Sequence, residues 1–160
     1  MQDVLRRIHD LRERTYRQIG FEEHSRPGPS ASEQQLSRVE DKNKLTLPDS
    51  YRLFLSIHDG WEHWSGDVAL LSTQQILVGE YHDRIEAWRA KQAIEESEWL
   101  RHYLVIGFSL FVGEHLLIDC SDASEGELLV WDHRVVERFP DFYDYLIDFE
   151  GTLREELAES

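Results

Sequence analysis

The chain of 160 residues has a single cysteine, Cys120, one methionine and four prolines, and it is poor in positive charge. Lys and Arg number 17 against 32 Asp and Glu, for a formal net charge of −15. One cysteine cannot close an internal disulfide and supplies no Cys pair for a structural metal, which fits a reducing, cytoplasmic compartment. No apolar run approaches the ~20 residues that cross a bilayer. Charges interleave with the apolar positions of Met1-Gln-Asp-Val-Leu-Arg-Arg-Ile-His9, so neither a membrane span nor a signal peptide is expected. Gly107 and Gly113 are isolated, and no glycine-rich loop follows a strand to cradle a phosphate. The missing positive charge is also uneven. Residues 1–20 hold five Arg against three acids, a net of +2, so residues 21–160 hold −17. From Glu114 to Ser160 there are 14 acids against Arg134, Arg138 and Arg154, a net of −11. Such a field repels nucleic-acid phosphates and argues against direct DNA or RNA binding. It favours basic protein surfaces and speeds encounter with them, besides aiding solubility.

What is present is enough for a packed core. A hydrophobic fraction of 41% and 18 aromatics (five Trp, six Tyr, seven Phe) describe a folded globule, and the length suits one domain spanning 1–160. Val4, Ile8, Leu11, Thr15 and Ile19 recur at helical spacing, which predicts an amphipathic helix over 2–19, packed either on the main sheet or on a partner. Residues 22–31, with Pro27 and Pro29, read as a loop. Ser32 is placed to cap a helix at 33–41, with Gln35 completing a capping box. Glu80 to Leu100 reads as a long helix whose end carries Glu95, Glu96 and Glu98. Carboxylates there face the negative end of the helix dipole, which points either to a function or to a helix that stops near Ala93. Tyr103–Phe108, Phe111–Cys120 and Glu127–Asp132 are strand-like, with Arg134–Arg138 a short final strand. Pro140 opens a last helix to Glu150, broken by Gly151, with a charged, marginally helical tail.

The most specific stretch is Leu47-Pro-Asp-Ser-Tyr-Arg-Leu-Phe-Leu-Ser-Ile-His-Asp-Gly-Trp61. Pro48 suits a helix start, Tyr51, Phe54, Leu55 and His58 form one face, Gly60 stops the helix, and Trp61 follows as a core aromatic. A short helix between Leu-Pro and Gly-Trp resembles the signature of the SUKH superfamily. That group includes fungal Smi/Knr cell-wall-assembly regulators and many bacterial toxin-immunity proteins. The resemblance covers residues 32–149: the helix before Leu-Pro, Gly66–Leu71 as the strand after the turn, Leu104-Val-Ile-Gly-Phe-Ser109, the hairpin strands His115–Cys120 and Gly126–Asp132, and Phe139–Leu146. Where many relatives carry Asn before the turn glycine, this chain has Asp59. The resemblance implies an α+β fold: a twisted, mostly antiparallel sheet of five to six strands flanked by helices. It also implies action by binding other proteins, without catalysis or cofactor.

Catalytic and metal readings find little purchase. His58 lies on the apolar helix face as a core histidine, no His pair shares a helix with a third ligand, and no metal is expected. Cys120 follows Asp119, whose charge raises a thiol pKa instead of activating it. Asp119 and Asp122 could pair as in glycosidases, yet acid-rich hairpin loops are usually solvated. The expected partner-binding residues therefore fall in three groups. Glu62, Trp64 and Asp67 form the first, with Trp64 as an aromatic anchor; Asp122, Glu125 and Glu127 on the hairpin loop form the second; Glu95, Glu96, Glu98 and Trp99 form the third. The functional expectation is an immunity protein, monomer or weak dimer, that occludes the active site of a cognate basic toxin such as a nuclease or deaminase. The alternative is a regulatory scaffold like the fungal cell-wall regulators.

Overall fold

The computed structural model describes residues 1–21, 24–94, 98–122 and 126–159. Glu95, Glu96, Glu125 and the side chain of Trp99 therefore lie outside the described residues. The described residues form six α-helices and seven strands: α1 (Gln2–Ile19), β1 (Arg26–Pro27), α2 (Glu33–Asn43), α3 (Asp49–Ile57), β2 (Trp61–Ser65), β3 (Val68–Leu70), α4 (Thr73–Leu77), α5 (Glu80–Ile94), a 3₁₀ turn (Glu98–His102), β4 (Tyr103–Phe108), β5 (Glu114–Asp119), β6 (Leu128–Asp132), β7 (Val135–Phe139) and α6 (Phe142–Glu159). The strands lie side by side in chain order, each antiparallel to the next.

The α+β class stands, with seven strands where five to six were expected. The additions are local. Arg26 and Pro27, read as loop, pair with Glu62 and Trp61 at the sheet's edge, where a proline takes no donor from the ladder. Trp61–Ser65, directly after the turn glycine, is strand β2. Its register shifts between Trp61 and Ser65, and His63 sits at φ 52°. This irregularity sends Trp61 and Trp64, which strict alternation would place on opposite faces, into the same core.

Helices cover both faces of the sheet. In β6, Trp131 packs edge-on against Trp88 of α5, while Leu128, three residues away, pairs with Phe139, whose ring meets Tyr145 of α6. An odd offset along an unbroken strand means opposite faces. That is why β4 is buried at all six positions and reads as a continuous apolar run.

Three helices differ from expectation. The capping box of α2 forms as read, with Ser32 Oγ accepting from Gln35 N and Gln35 Oε1 from Ser32 N. By contrast, α5 is described as far as Ile94, and Glu98–His102 forms a 3₁₀ turn where a continuous helix to Leu100 was expected. Helix α6 runs through Gly151 to Glu159, because Leu153, fully buried, continues the inward stripe of Phe142, Tyr145 and Leu146. Burying that leucine outweighs the ~1 kcal/mol that an exposed glycine costs a helix. Helix α1 packs on the rest of the chain, chiefly on α6, but its buried stripe is rotated. Leu5, Arg12 and Tyr16 face inward, and Ile19 is exposed.

The α1–α6 seam is fastened by Glu150, buried at 4% exposure. It accepts from Arg7 Nε at 2.7 Å and Nη2 at 3.0 Å, and from Arg154. The Arg7 hydrogen bonds hold the Glu150 carboxyl below its usual range, against the opposing effect of burial. A carboxyl depressed in the folded state adds stability that is complete above the ordinary Glu range, about pH 4.3, and lost as pH falls through it. Glu150→Gln is therefore expected to lower the thermal midpoint at about pH 7, with the gap to wild type closing as pH falls below the ordinary Glu range and through the depressed folded value. A gap that stays constant across a pH series of melting curves would remove the ion pair from the seam.

Candidate functional site

Trp61 and Trp64 occupy the centre of the core, with ring centroids 5.1 Å apart edge to face. Trp61 donates its indole N–H to Ser25 Oγ at 2.6 Å and is met edge-on by His58. His58 is half-buried, and its Nδ1 lies 2.9 Å from Gly28 O. Trp64 is 0% exposed, stacks on Phe149 at 4.6 Å and donates to Tyr145 Oη at 2.8 Å. Its carbonyl accepts from Arg12 Nε at 2.7 Å. The expectation of Trp64 as an exposed anchor is thus corrected: the β2 irregularity turns it inward and a hydrogen bond holds it there.

The turn before Trp61 explains Asp59. Its Oδ1 accepts from Thr73 N at 2.6 Å, and its Oδ2 accepts from Thr73 Oγ1 at 2.9 Å and Gln35 Nε2 at 3.4 Å. One carboxylate thereby ties α2 and the start of α4 to the end of α3. An asparagine could accept the backbone donor with its single oxygen, so Asp and Asn serve the same turn.

Of the first expected patch, Glu62 and Asp67 are exposed, and the charge of each is felt at Tyr81 of α5. Burial, and then the negative charges of Glu62, Glu80 and Asp67, raise the Tyr81 phenol pKa. Glu62 also approaches Arg26, with 3.8 Å between Nη1 and Oε2. Of the second patch, Asp122 and Glu127 line a shallow concavity of about 640 Å³, walled also by Asp119, Ser121, Gly126, Pro140 and Asp141. Glu127 is already engaged there, accepting from Tyr103 Oη at 2.8 Å and Arg138 Nη1 at 3.1 Å. Asp119 accepts from Ser121 N at 2.8 Å. Of the third group, the described carboxylate is Glu98, exposed and 3.2 Å from Arg101 Nη2. The first and second groups are separate. Asp67 and the Asp122–Glu127 concavity sit at opposite ends of the sheet, roughly 17 Å apart along a six-residue strand such as β5.

The groups that could do chemistry are held in structural roles. Burial, reinforced by Asp119, pushes the Cys120 thiol up to about 12, far from a nucleophile's range. His115 is buried between Phe108, stacked at 4.3 Å, and the Trp88 ring, and burial lowers its pKa. Among the described residues no group of three or more His, Cys, Asp or Glu is arranged to hold a metal ion, and no helix is long and apolar enough to cross a membrane.

Two features were not read from the sequence. Arg12 lies outside the apolar stripe expected for α1, yet its guanidinium is buried over the Tyr16 and Phe149 rings. Phe111 and Val112 were read as the start of a strand, but they form an exposed hairpin tip before β5 begins at Glu114. The turn residues Ser109 and Gly113 that flank them were the available signal.

No curated protein matches the chain. The pattern Leu-Pro, helix, Gly-Trp, strand that builds this core is instead that of a family: the SMI1 / KNR4 family (SUKH-1) is matched over residues 30–148, and the chain belongs to it.

Proposed function

We propose that the protein is a cytoplasmic immunity protein, acting by binding and not by catalysis, that neutralises a cognate basic toxin by covering its active site. The observation that carries this reading is the distribution of carboxylates: a net charge of −15, with exposed acids at both ends of the sheet. Toxins that act on nucleic acids must hold phosphates and are therefore basic, and an acidic surface competes for the same groups. A nuclease or a deaminase fits this chemistry. Monomer or weak dimer is the state that suits a small acidic inhibitor, since like charge opposes self-association.

Affinity capture of the tagged protein from its native host, with mass spectrometry, tests the reading. Recovery of one basic protein encoded beside this gene supports it; recovery of kinases or wall-synthesis components favours a regulatory scaffold. That second reading is kept because the matched family carries the names SMI1 and KNR4. With the partner in hand, Glu62→Lys and Asp67→Lys are each expected to slow association at low salt, roughly tenfold for the double variant, and to flatten its salt dependence. Stopped-flow association rates unchanged across the salt series would take both residues out of the encounter.

A further inference from the structure

An antiparallel sheet in chain order puts alternate turns at the same end. The β2–β3 turn with Asp67, the β4–β5 tip with Phe111 and Val112, and the β6–β7 turn with Asp132 and His133 share one end, as the pairs Ala69 with Phe108 and Glu114 with Asp132 require. Phe111 is 82% exposed and Val112 52%, the most exposed large apolar pair of neighbours among the described residues. The tip is held in shape: Ser109 Oγ accepts from Phe111 N at 3.1 Å and Val112 N at 3.0 Å. It lies close beside the next turn, since a Cβ added at Gly113 would come within 3.2 Å of His133 Nε2. Beside the tip, Glu114 and Asp132 stand directly opposite one another across β5 and β6. Like charges in that position are destabilising. Burial and Asp132 accordingly raise the Glu114 carboxyl pKa. A cation supplied from outside would relieve that repulsion, while the tip's fixed shape lowers the entropy lost on docking.

We infer that this end of the sheet is the docking surface, with Phe111 and Val112 entering an apolar pocket of a basic protein whose Lys or Arg side chains are met by Asp67, Glu114 and Asp132. The inference rests on the reading of a basic protein partner and adds which face meets it. Exposed acids alone would not distinguish the two ends; among the described residues this end carries the most exposed apolar projection, of the kind an anchored interface needs.

A photo-crosslinking p-benzoylphenylalanine placed at position 111, and in a second version at position 122 on the opposite end, tests the surface in the native host. The expected result is an adduct from position 111 with one basic protein and none from position 122. The purified partner should then bind Phe111→Ser at least tenfold more weakly, about 1.4 kcal/mol, with thermal unfolding unchanged because the ring is exposed. Adducts from position 122 alone, or Phe111→Ser binding within twofold of wild type, would overturn the surface. If wild type copurifies with a basic protein and position 111 gives no adduct, the surface falls and the functional reading stands. If wild type copurifies with no basic protein, the functional reading fails and the surface with it.

Discussion

Trp64→Ala is expected to lower the unfolding free energy by about 3–5 kcal/mol, a large part of the 5–15 kcal/mol that holds an ordinary domain. The indole is wholly buried, stacked on Phe149 and packed edge-on to Trp61, so truncation leaves a cavity that β2 cannot close without moving the strand. It also strands the polar groups around it. Tyr145 Oη loses its donor, and Arg12 keeps its bond to the Trp64 carbonyl only if the backbone holds still. Tyr145→Phe separates the contributions. It keeps the ring packing and removes the indole's acceptor, for an expected loss of about 1–3 kcal/mol. Urea unfolding followed by tryptophan fluorescence measures both. A loss under about 1 kcal/mol for Trp64→Ala would mean that the side chain is not in the core and would reopen its use as an anchor.

Gly28→Ala is expected to destabilise the fold by a steric clash with backbone atoms. A Cβ there would lie 2.3 Å from the Asp59 carbonyl oxygen and 3.1 Å from that of Gly60, both backbone atoms that cannot swing aside. The close approach is needed because the segment is stitched to the turn before Trp61: Gly28 N donates to Gly60 O at 2.8 Å and Asp59 N to Pro29 O at 2.5 Å. Separating the two segments costs about 1–3 kcal/mol of strain and loosens those bonds. Hydrogen exchange should report it locally, with faster exchange at the Gly28 and Asp59 amides and little change in β5 and β6. Exchange accelerated equally everywhere would instead indicate global destabilisation without a specific role for this crossing.

Both effects concern residues whose importance depends on distant partners, and that divides what the sequence discloses from what it hides. The Pro48-to-Trp61 stretch, the Ser32–Gln35 capping box and the apolar runs of β4 to β6 are local signals: fixed φ, reciprocal caps and continuous hydrophobicity. Strand β1 is two residues long and exists because it meets Glu62 and Trp61, more than thirty positions away. Trp64 reads as an interface anchor beside Glu62 and Asp67, and its burial follows from a register shift that no periodicity displays. Arg12 looked solvated because charge on a helix usually is; here the Trp64 carbonyl and two aromatic rings receive it. The acids were legible as composition but not as geometry. The chain order of the strands decides that Asp67 joins the Phe111 tip and that Asp122 lies at the far end.

The claim that this acidic protein neutralises a basic toxin is tested most directly by a functional titration. The neighbouring gene's product would be expressed alone and with this protein, and its activity on nucleic acid then assayed against increasing inhibitor. The account predicts growth arrest that coexpression relieves, and activity that falls linearly to zero near a fixed molar ratio. A toxin that stays fully active at saturating inhibitor, or a neighbour with no toxicity at all, would contradict it.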